Sequence, residues 1–156
     1  MKDTQIIMLG TGNAGVTRCY NTCFAIQTTE NVLLVDAGGG NGILVQLEKA
    51  GIAIERIHDM FVTHAHTDHI LGAVWVIRMV AQRMQSGKYT GAFRVYGHDK
   101  VLQVLDWICR MTLPKKIVQY LGNGIELCEV KDGEIFKAGE LKLQSFDIGS
   151  TKEKQY

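Results

Sequence analysis

The stretch His64-Ala65-His66-Thr67-Asp68-His69 constrains this chain more than any other feature. It places three of the five histidines, and one aspartate, within six residues. An apolar run, Met60-Phe61-Val62, leads into it, and an apolar, helix-like run leads out from Ile70. The pattern predicts a strand, a short loop and a helix start, with the ligating side chains gathered on the loop. In extended backbone, residues two apart point the same way, so His64 and His66 can face one cation. Asp68 and His69 stand where the chain turns into a helix, and their side chains diverge to serve a second ion. Imidazole and carboxylate suit Zn²⁺, and also Mn²⁺ or Fe. Two ions about 3.5–4 Å apart form a clamp that activates water and stabilises the oxygens of a displacement reaction. A lone histidine is more often an ordinary surface or core residue. A structural zinc site usually draws on cysteine, and none lies near this cluster.

The pattern resembles the H-x-H-x-D-H signature of the metallo-β-lactamase fold superfamily, and the flanks Val62-Thr63 and Ile70-Leu71-Gly72 match as well. Three further stretches resemble its ribonuclease Z branch, which cleaves precursor tRNA at the 3′ end: Leu9-Gly10-Thr11-Gly12, Asn21-Thr22-Cys23-Phe24-Ala25-Ile26 and Leu33-Leu34-Val35-Asp36-Ala37-Gly38. The likeness covers most of residues 6 to 75 and weakens from Ile77 onward. It implies an α/β fold, the αββα sandwich, with two sheets face to face, helices outside and the metals at one edge. It also implies a dinuclear zinc site. His64 and His66 would hold one ion, and Asp68 and His69 the other, with Asp68 also handling the proton of the attacking water. Asp36 would stand behind the metals, orienting a ligating imidazole through its other ring nitrogen. The ordinary alternative for Asp36 is a turn aspartate ahead of Gly38-Gly39-Gly40. RNA, as precursor tRNA, is the partner that the resemblance implies.

At 156 residues the chain allows one domain, 1–156. The resembled fold needs substantially more chain, so the expectation is its N-terminal half to two-thirds. The family supplies a third histidine to the first ion soon after a strand like Leu141–Phe146. Here Asp147-Ile148-Gly149-Ser150 occupies that region, with Gly149 or Ser150 in the slot depending on register. The family's bridging aspartate and last histidine would fall beyond Tyr156. Catalytic zinc normally keeps three protein ligands, and His64 with His66 supplies two. Asp147 is either a substitute donor or a loop cap. Half a sandwich also exposes an apolar face of a size unusual on a monomer, so self-association is expected; the other reading is a fragment or an early stop. Three functions follow: a ribonuclease Z-like metal-dependent phosphodiesterase; a hydrolase of an ester, lactone or thioester from the same superfamily; or an inactive metal-binding remnant that oligomerises.

The rest of the chain narrows this further. A net charge of +1 provides no overall basic footprint for nucleic acid, and Lys115-Lys116 and Lys152/Lys154 read as solvated clusters. Cys19, Cys23, Cys109 and Cys128 fit no disulfide or zinc-finger framework, so buried free thiols in a reducing cytoplasm are expected. No signal peptide opens the sequence and no apolar run is long enough for a membrane span. Gly10 to Gly15 resembles a phosphate cradle only superficially, since no Lys-Ser/Thr follows. Strands are predicted at 5–9, 24–28, 32–35, 57–62, 93–96, 125–130, 134–136 and 141–146. Helices are predicted from Ile43 to Gly51, from about His69 to Gln85, after His98, and from Pro114 to Tyr120. His58 reads as ordinary, and His98 as a cap or surface group.

Overall fold

The computed structural model describes residues 4–149 and 154–156. Six strands form one sheet in sequence order: β1 (Gln5–Gly10), β2 (Cys23–Gln27), β3 (Val32–Val35), β4 (Ile57–Phe61), β5 (Phe93–Gly97) and β6 (Ile125–Glu129). The first three are antiparallel, and β3 to β6 run parallel. Parallel neighbours need a crossover, and helices supply them: α1 (Gly42–Lys49), α2 (Thr67–Gln85) and α3 (Asp99–Thr112), with a short α4 (Lys115–Val118) before β6. A separate hairpin, β7 (Ile135–Ala138) and β8 (Leu141–Gln144), follows.

Strand alternation divides the core in two. Val32 and Leu34 of β3, Met60 of β4 and Val95 of β5 pack with Ile43, Leu47, Ile70, Ile77, Val101 and Leu105 of the helices. Leu33, Val35 and Tyr96 point the other way and meet Phe136, Ala138, Leu141 and Leu143 of the hairpin. That double coverage explains why β3, Val-Leu-Leu-Val, is apolar at every position. The hairpin covers only the centre of the second face. Ile6 and Met8, opposite Ile26 and Phe24 on the edge strand, remain 67% and 54% exposed, as does Phe146 at 63%.

Several local outcomes differ from expectation. Helix α2 begins at Thr67 rather than near His69, because the amides of His69 and Ile70 both reach the His66 carbonyl, at 3.0 Å each, and close the first turn. Asp68 therefore lies in the first turn, where a negative charge favours the helix dipole. Strand β8 ends at Gln144; the buried Ser145 instead donates its hydroxyl to the Lys131 carbonyl at 2.6 Å. His98 occupies the N-cap position of α3 but makes no side-chain cap bond. It is buried, at 2% exposure, not a surface group. All four cysteines are free; Cys19 is exposed, contrary to expectation, while Cys23 and Cys109 are buried. Burial pushes the thiols of Cys23 and Cys109 up to about 12. Among the described residues, no helix is long and apolar enough to cross a membrane.

Candidate metal centre

The carboxyl ends of the parallel strands β3 and β4 meet at the site, the edge where ligands bind in open α/β sheets. Strand β3 delivers Asp36. Its backbone turns left-handed there, at φ 54°, a conformation that aspartate tolerates better than most residues. Its amide still donates to the Phe61 carbonyl of β4 at 2.8 Å. The buried carboxylate gathers three donors. Oδ1 accepts the Thr63 amide at 2.8 Å, and Oδ2 accepts the Thr63 hydroxyl at 2.8 Å and His69 Nδ1 at 2.7 Å.

This network sets two histidine tautomers. A carboxylate only accepts, so His69 carries a proton on Nδ1. The single proton of the Thr63 hydroxyl goes to Asp36, so the 2.9 Å contact between Thr63 Oγ1 and His64 Nδ1 uses the proton of the ring. Both imidazoles thereby keep Nε2 free as a donor to a cation. Thr63 and Asp36 act together on His64, whereas Asp36 acts directly on His69.

The rings crowd together. Ring centroids lie 4.1 Å apart for His64 and His69, and 4.5 Å apart for His64 and His66. Nε2 of His69 faces Oδ2 of Asp68 at 3.4 Å. Two lone pairs facing each other at that distance repel unless a cation, a proton or a metal, lies between them. The protonation equilibria reflect this. Burial opposes charge on His69, but the Asp36 hydrogen bond and the charges of Asp36 and Asp68 outweigh it and hold the group above its ordinary value. Burial, then the neighbouring His69, pushes His64 below its ordinary value. In metal-free protein, NMR titration of the ring protons is expected to show His69 deprotonating at higher pH than His64. The His69 contribution to stability is then full below the unfolded histidine value, about 6.5, and is lost as pH rises through the raised folded value. The reverse titration order would contradict the network.

The donor set fits a borderline divalent cation in kind: imidazole nitrogens with oriented tautomers beside a carboxylate. In number it falls short. His64 and His66 form one pair, Asp68 and His69 another, and among the described residues no group of three His, Cys, Asp or Glu side chains is disposed to hold an ion. Asp147, the candidate substitute, caps its own loop: Oδ1 accepts the amides of Gly149 at 3.0 Å and Gln155 at 3.4 Å. Ser150 and Lys152 lie outside the described residues.

Sequence reasoning missed the frame that holds Asp36 in place. Gly72 of α2 donates its amide to the Gly38 carbonyl at 2.8 Å, and a Cβ at Gly72 would stand 1.8 Å from the Ala37 carbonyl oxygen. The Tyr20 hydroxyl bridges the carbonyls of Ala37, at 2.9 Å, and Gly40, at 2.7 Å, from beneath the same loop. Tyr20 carried no signal, and Thr63 and Gly72 were marked only as flanks of the histidine signature. The glycine run after Asp36 was the only hint that something packs closely there.

A helix layer on one face of a mixed sheet, with a histidine and aspartate cluster at its edge, defines a metallo-β-lactamase fold. Solved structures agree: the chain superposes on a diphosphatase of the PhnP family with a TM-score of 0.67 at 20% identity, covering 92% of this chain and 56% of that one. It superposes on the metallo-β-lactamase fold protein YhfI of Bacillus subtilis with a TM-score of 0.65 at 17% identity, covering 87% and 50%. The chain belongs to the family described as Anti-Pycsar protein Apyc1, which it matches over residues 4–155. It is 39% identical over 70 residues to the Anti-Pycsar protein Apyc1 of Bacillus phage BSP38, covering 44% of this chain and 27% of that protein. It is 32% identical over 102 residues to ribonuclease Z of Pyrococcus abyssi, covering 65% and 31%. The chain thus spans about a third of the length of these curated relatives.

Proposed function

We propose that this chain carries the cation-binding half of a metal-dependent phosphodiesterase, most like ribonuclease Z. One observation carries the reading: Asp36 and Thr63 fix His64 and His69 with Nε2 free, next to Asp68. The relatives' names support the reaction class, since a ribonuclease and a diphosphatase both cleave phosphorus–oxygen bonds. His64 and His66 would hold one ion, Asp68 and His69 the second, with Zn²⁺ favoured by the donor set and Mn²⁺ or Fe as alternatives. When bound, such ions supply Lewis acidity that ionises water near neutral pH and offsets charge on the phosphate. Asp68 Oδ2 would take the proton of the attacking water. Asp36 would hold the rings still throughout. RNA as precursor tRNA would be the substrate, and the cytoplasm, where free thiols persist, the location.

The test is hydrolysis of bis(p-nitrophenyl) phosphate and cleavage of precursor tRNA by purified protein with added Zn²⁺ or Mn²⁺. The reading expects turnover that chelator abolishes and that His69→Ala lowers at least about 100-fold, in the range set by loss of a catalytic group. Turnover unchanged in His69→Ala would contradict it. Hydrolysis of an ester, lactone or thioester, with none of a phosphodiester, would point to the other branch of the superfamily. The remnant reading rests on the two-donor pairs and on the missing third histidine, whose slot Gly149 or Ser150 fills depending on register; metal binding without any hydrolysis would favour it.

The uncovered part of the second sheet face supports self-association. Ile6, Met8 and Phe146, each more than half exposed, line it with the hairpin. Exposed apolar area of this kind marks an interaction surface. Light scattering at micromolar concentration is expected to give a dimer or larger species, and Ile6→Lys with Met8→Lys to shift it towards monomer. A parent chain that scatters as a monomer would sink the idea.

A further inference from the structure

A groove opens beside the candidate metal centre and has no part in the site as read above. Its volume is about 310 Å³, at the lower end of the ~300–1,000 Å³ range of small-molecule sites. Leu71, Val74 and Trp75 of α2 form one wall, Ile108 of α3 and Leu113 just after it the other, and Gly39 closes the end. That end lies against the first turn of α2: a Cβ on Gly39 would stand 3.7 Å from Asp68 Cα. Gly40, also in the lining, would place a Cβ in open space, so a ligand can lie directly over bare backbone there.

The helix period carries the groove away from Asp68 in a single stripe. Leu71, Trp75 and Arg78 follow Asp68 at intervals of three, four and three residues, the spacing of one helix face. At about 1.5 Å per residue, Trp75 lies about 10 Å along the axis from Asp68, and Arg78 about 15 Å. These last two side chains differ from the apolar walls. Trp75 is 37% exposed. The Arg78 guanidinium sits over its ring, 5.7 Å from the centroid, and among the described residues no carboxylate pairs with it. The other arginine of α2, Arg83, is held by Glu55 at 2.8 Å. Arg78 and Trp75 thus present a positive charge and an aromatic surface side by side.

We propose that this groove binds a nucleotide next to the cleaved phosphate, with its base stacked on Trp75 and its own phosphate paired with Arg78. The inference rests on the phosphodiesterase reading, which puts the cleaved phosphate beside Asp68. Stacking on an aromatic platform tolerates every base, so the groove holds a nucleotide in place without selecting its sequence. The base covers the apolar walls, and the planar fork of Arg78 takes the phosphate oxygens. A purely apolar partner, such as the same face of a second copy, would bury the Arg78 charge without an anion, at a cost in free energy. That unpaired charge is what favours a nucleotide.

The experiment uses the full chain carrying Trp107→Phe, which leaves Trp75 as the only tryptophan. Trp107 is 64% exposed and outside the groove lining, so the fold is expected to persist. The metal-free protein is titrated with adenosine 5′-monophosphate and the indole fluorescence is read. Saturable quenching is expected, with adenosine binding at least about 10-fold more weakly because it offers Arg78 no anion. Arg78→Gln in the same background is expected to weaken binding of the monophosphate by a similar factor. The adenosine comparison needs no change at Arg78, so folding of that variant does not decide the result. No quenching by the monophosphate, or equal affinity for adenosine, overturns the proposal. So does emission that follows protein concentration but not nucleotide, which would assign the groove to a second copy. Hydrolysis of bis(p-nitrophenyl) phosphate with added Zn²⁺ or Mn²⁺, measured on the same preparation, separates the two readings. Turnover without quenching overturns the groove alone; quenching without turnover upholds the groove and counts against the phosphodiesterase.

Discussion

Replacing Asp36 by asparagine is expected to lower zinc affinity about 10–100-fold, the range seen when the partner of a ligating histidine is removed. The substitution keeps size and tolerance of the left-handed backbone at φ 54°. It cannot keep the hydrogen bonds. All three groups around the carboxylate are donors: the Thr63 amide, the Thr63 hydroxyl and His69 Nδ1. An amide side chain presents its own NH₂ to one side of that set, so either Thr63 or His69 loses its acceptor. His69 can then carry its proton on Nε2, the atom that faces Asp68, and the ring no longer offers that lone pair. Asp36→Ala removes both acceptor oxygens with their three hydrogen bonds and adds left-handed strain, so it is expected to cost about 3 kcal/mol or more of folding stability as well. Competition with a chromophoric chelator reads the first effect and urea unfolding the second. Asp36→Asn binding zinc as tightly as the parent would show that the carboxylate does not orient the ligands.

Gly72→Ala is expected to be among the most damaging single-methyl additions in the chain. The new Cβ would stand 1.8 Å from the Ala37 carbonyl oxygen and 3.0 Å from that of Gly38. Both obstacles are backbone and cannot rotate away, so α2 must lift from the loop. Lifting it breaks the Gly72 to Gly38 hydrogen bond and the bond from the Ala37 amide to the His69 carbonyl, 3.1 Å. Overpacking typically costs about 1–3 kcal/mol, and the lost hydrogen bonds put this site at or above the upper end. Because Asp68 and His69 ride on the first turn of α2, zinc affinity is expected to fall too. Gly15, with nothing within 4 Å of its Cβ position, is the control, and Gly15→Ala is expected to be near neutral. Equal urea midpoints for the two variants would contradict the close-approach account.

The candidate ligands were more legible in the sequence than the residues that support them. His64, His66, Asp68 and His69 announce themselves because rare residue types recur at short spacing, and the structure brings them together at one sheet edge. The strand and helix order was legible from periodicity, since β3 is a short apolar run and β4 and β5, though interrupted by His58, Asp59 and Arg94, stand between amphipathic helices. Boundaries were less so. The α2 start at Thr67 depends on carbonyl–amide pairing at His66 that no side-chain pattern encodes. The role of Gly72 was hidden because the need for glycine arises from a loop 34 positions earlier in the chain, at Gly38. His98 was legible only in part. Histidine before an aspartate reads as a cap, and it does hold the N-cap position, but its burial, with the Tyr156 ring 5.4 Å away, was not legible. The hairpin cover over Leu33 and Val35 was equally non-local, so the exposed face is narrower than the half-sandwich argument implies.

The central claim is that His64, His66, Asp68 and His69 bind divalent cations. Its most direct test is the zinc content of the protein, by elemental analysis after purification without chelator, for the parent and for His64→Ala and His69→Ala. The account predicts that the parent retains zinc and that each substitution removes at least one of the equivalents it holds. A parent chain that retains no zinc and takes up none on titration, or substituted chains with unchanged content, would contradict it.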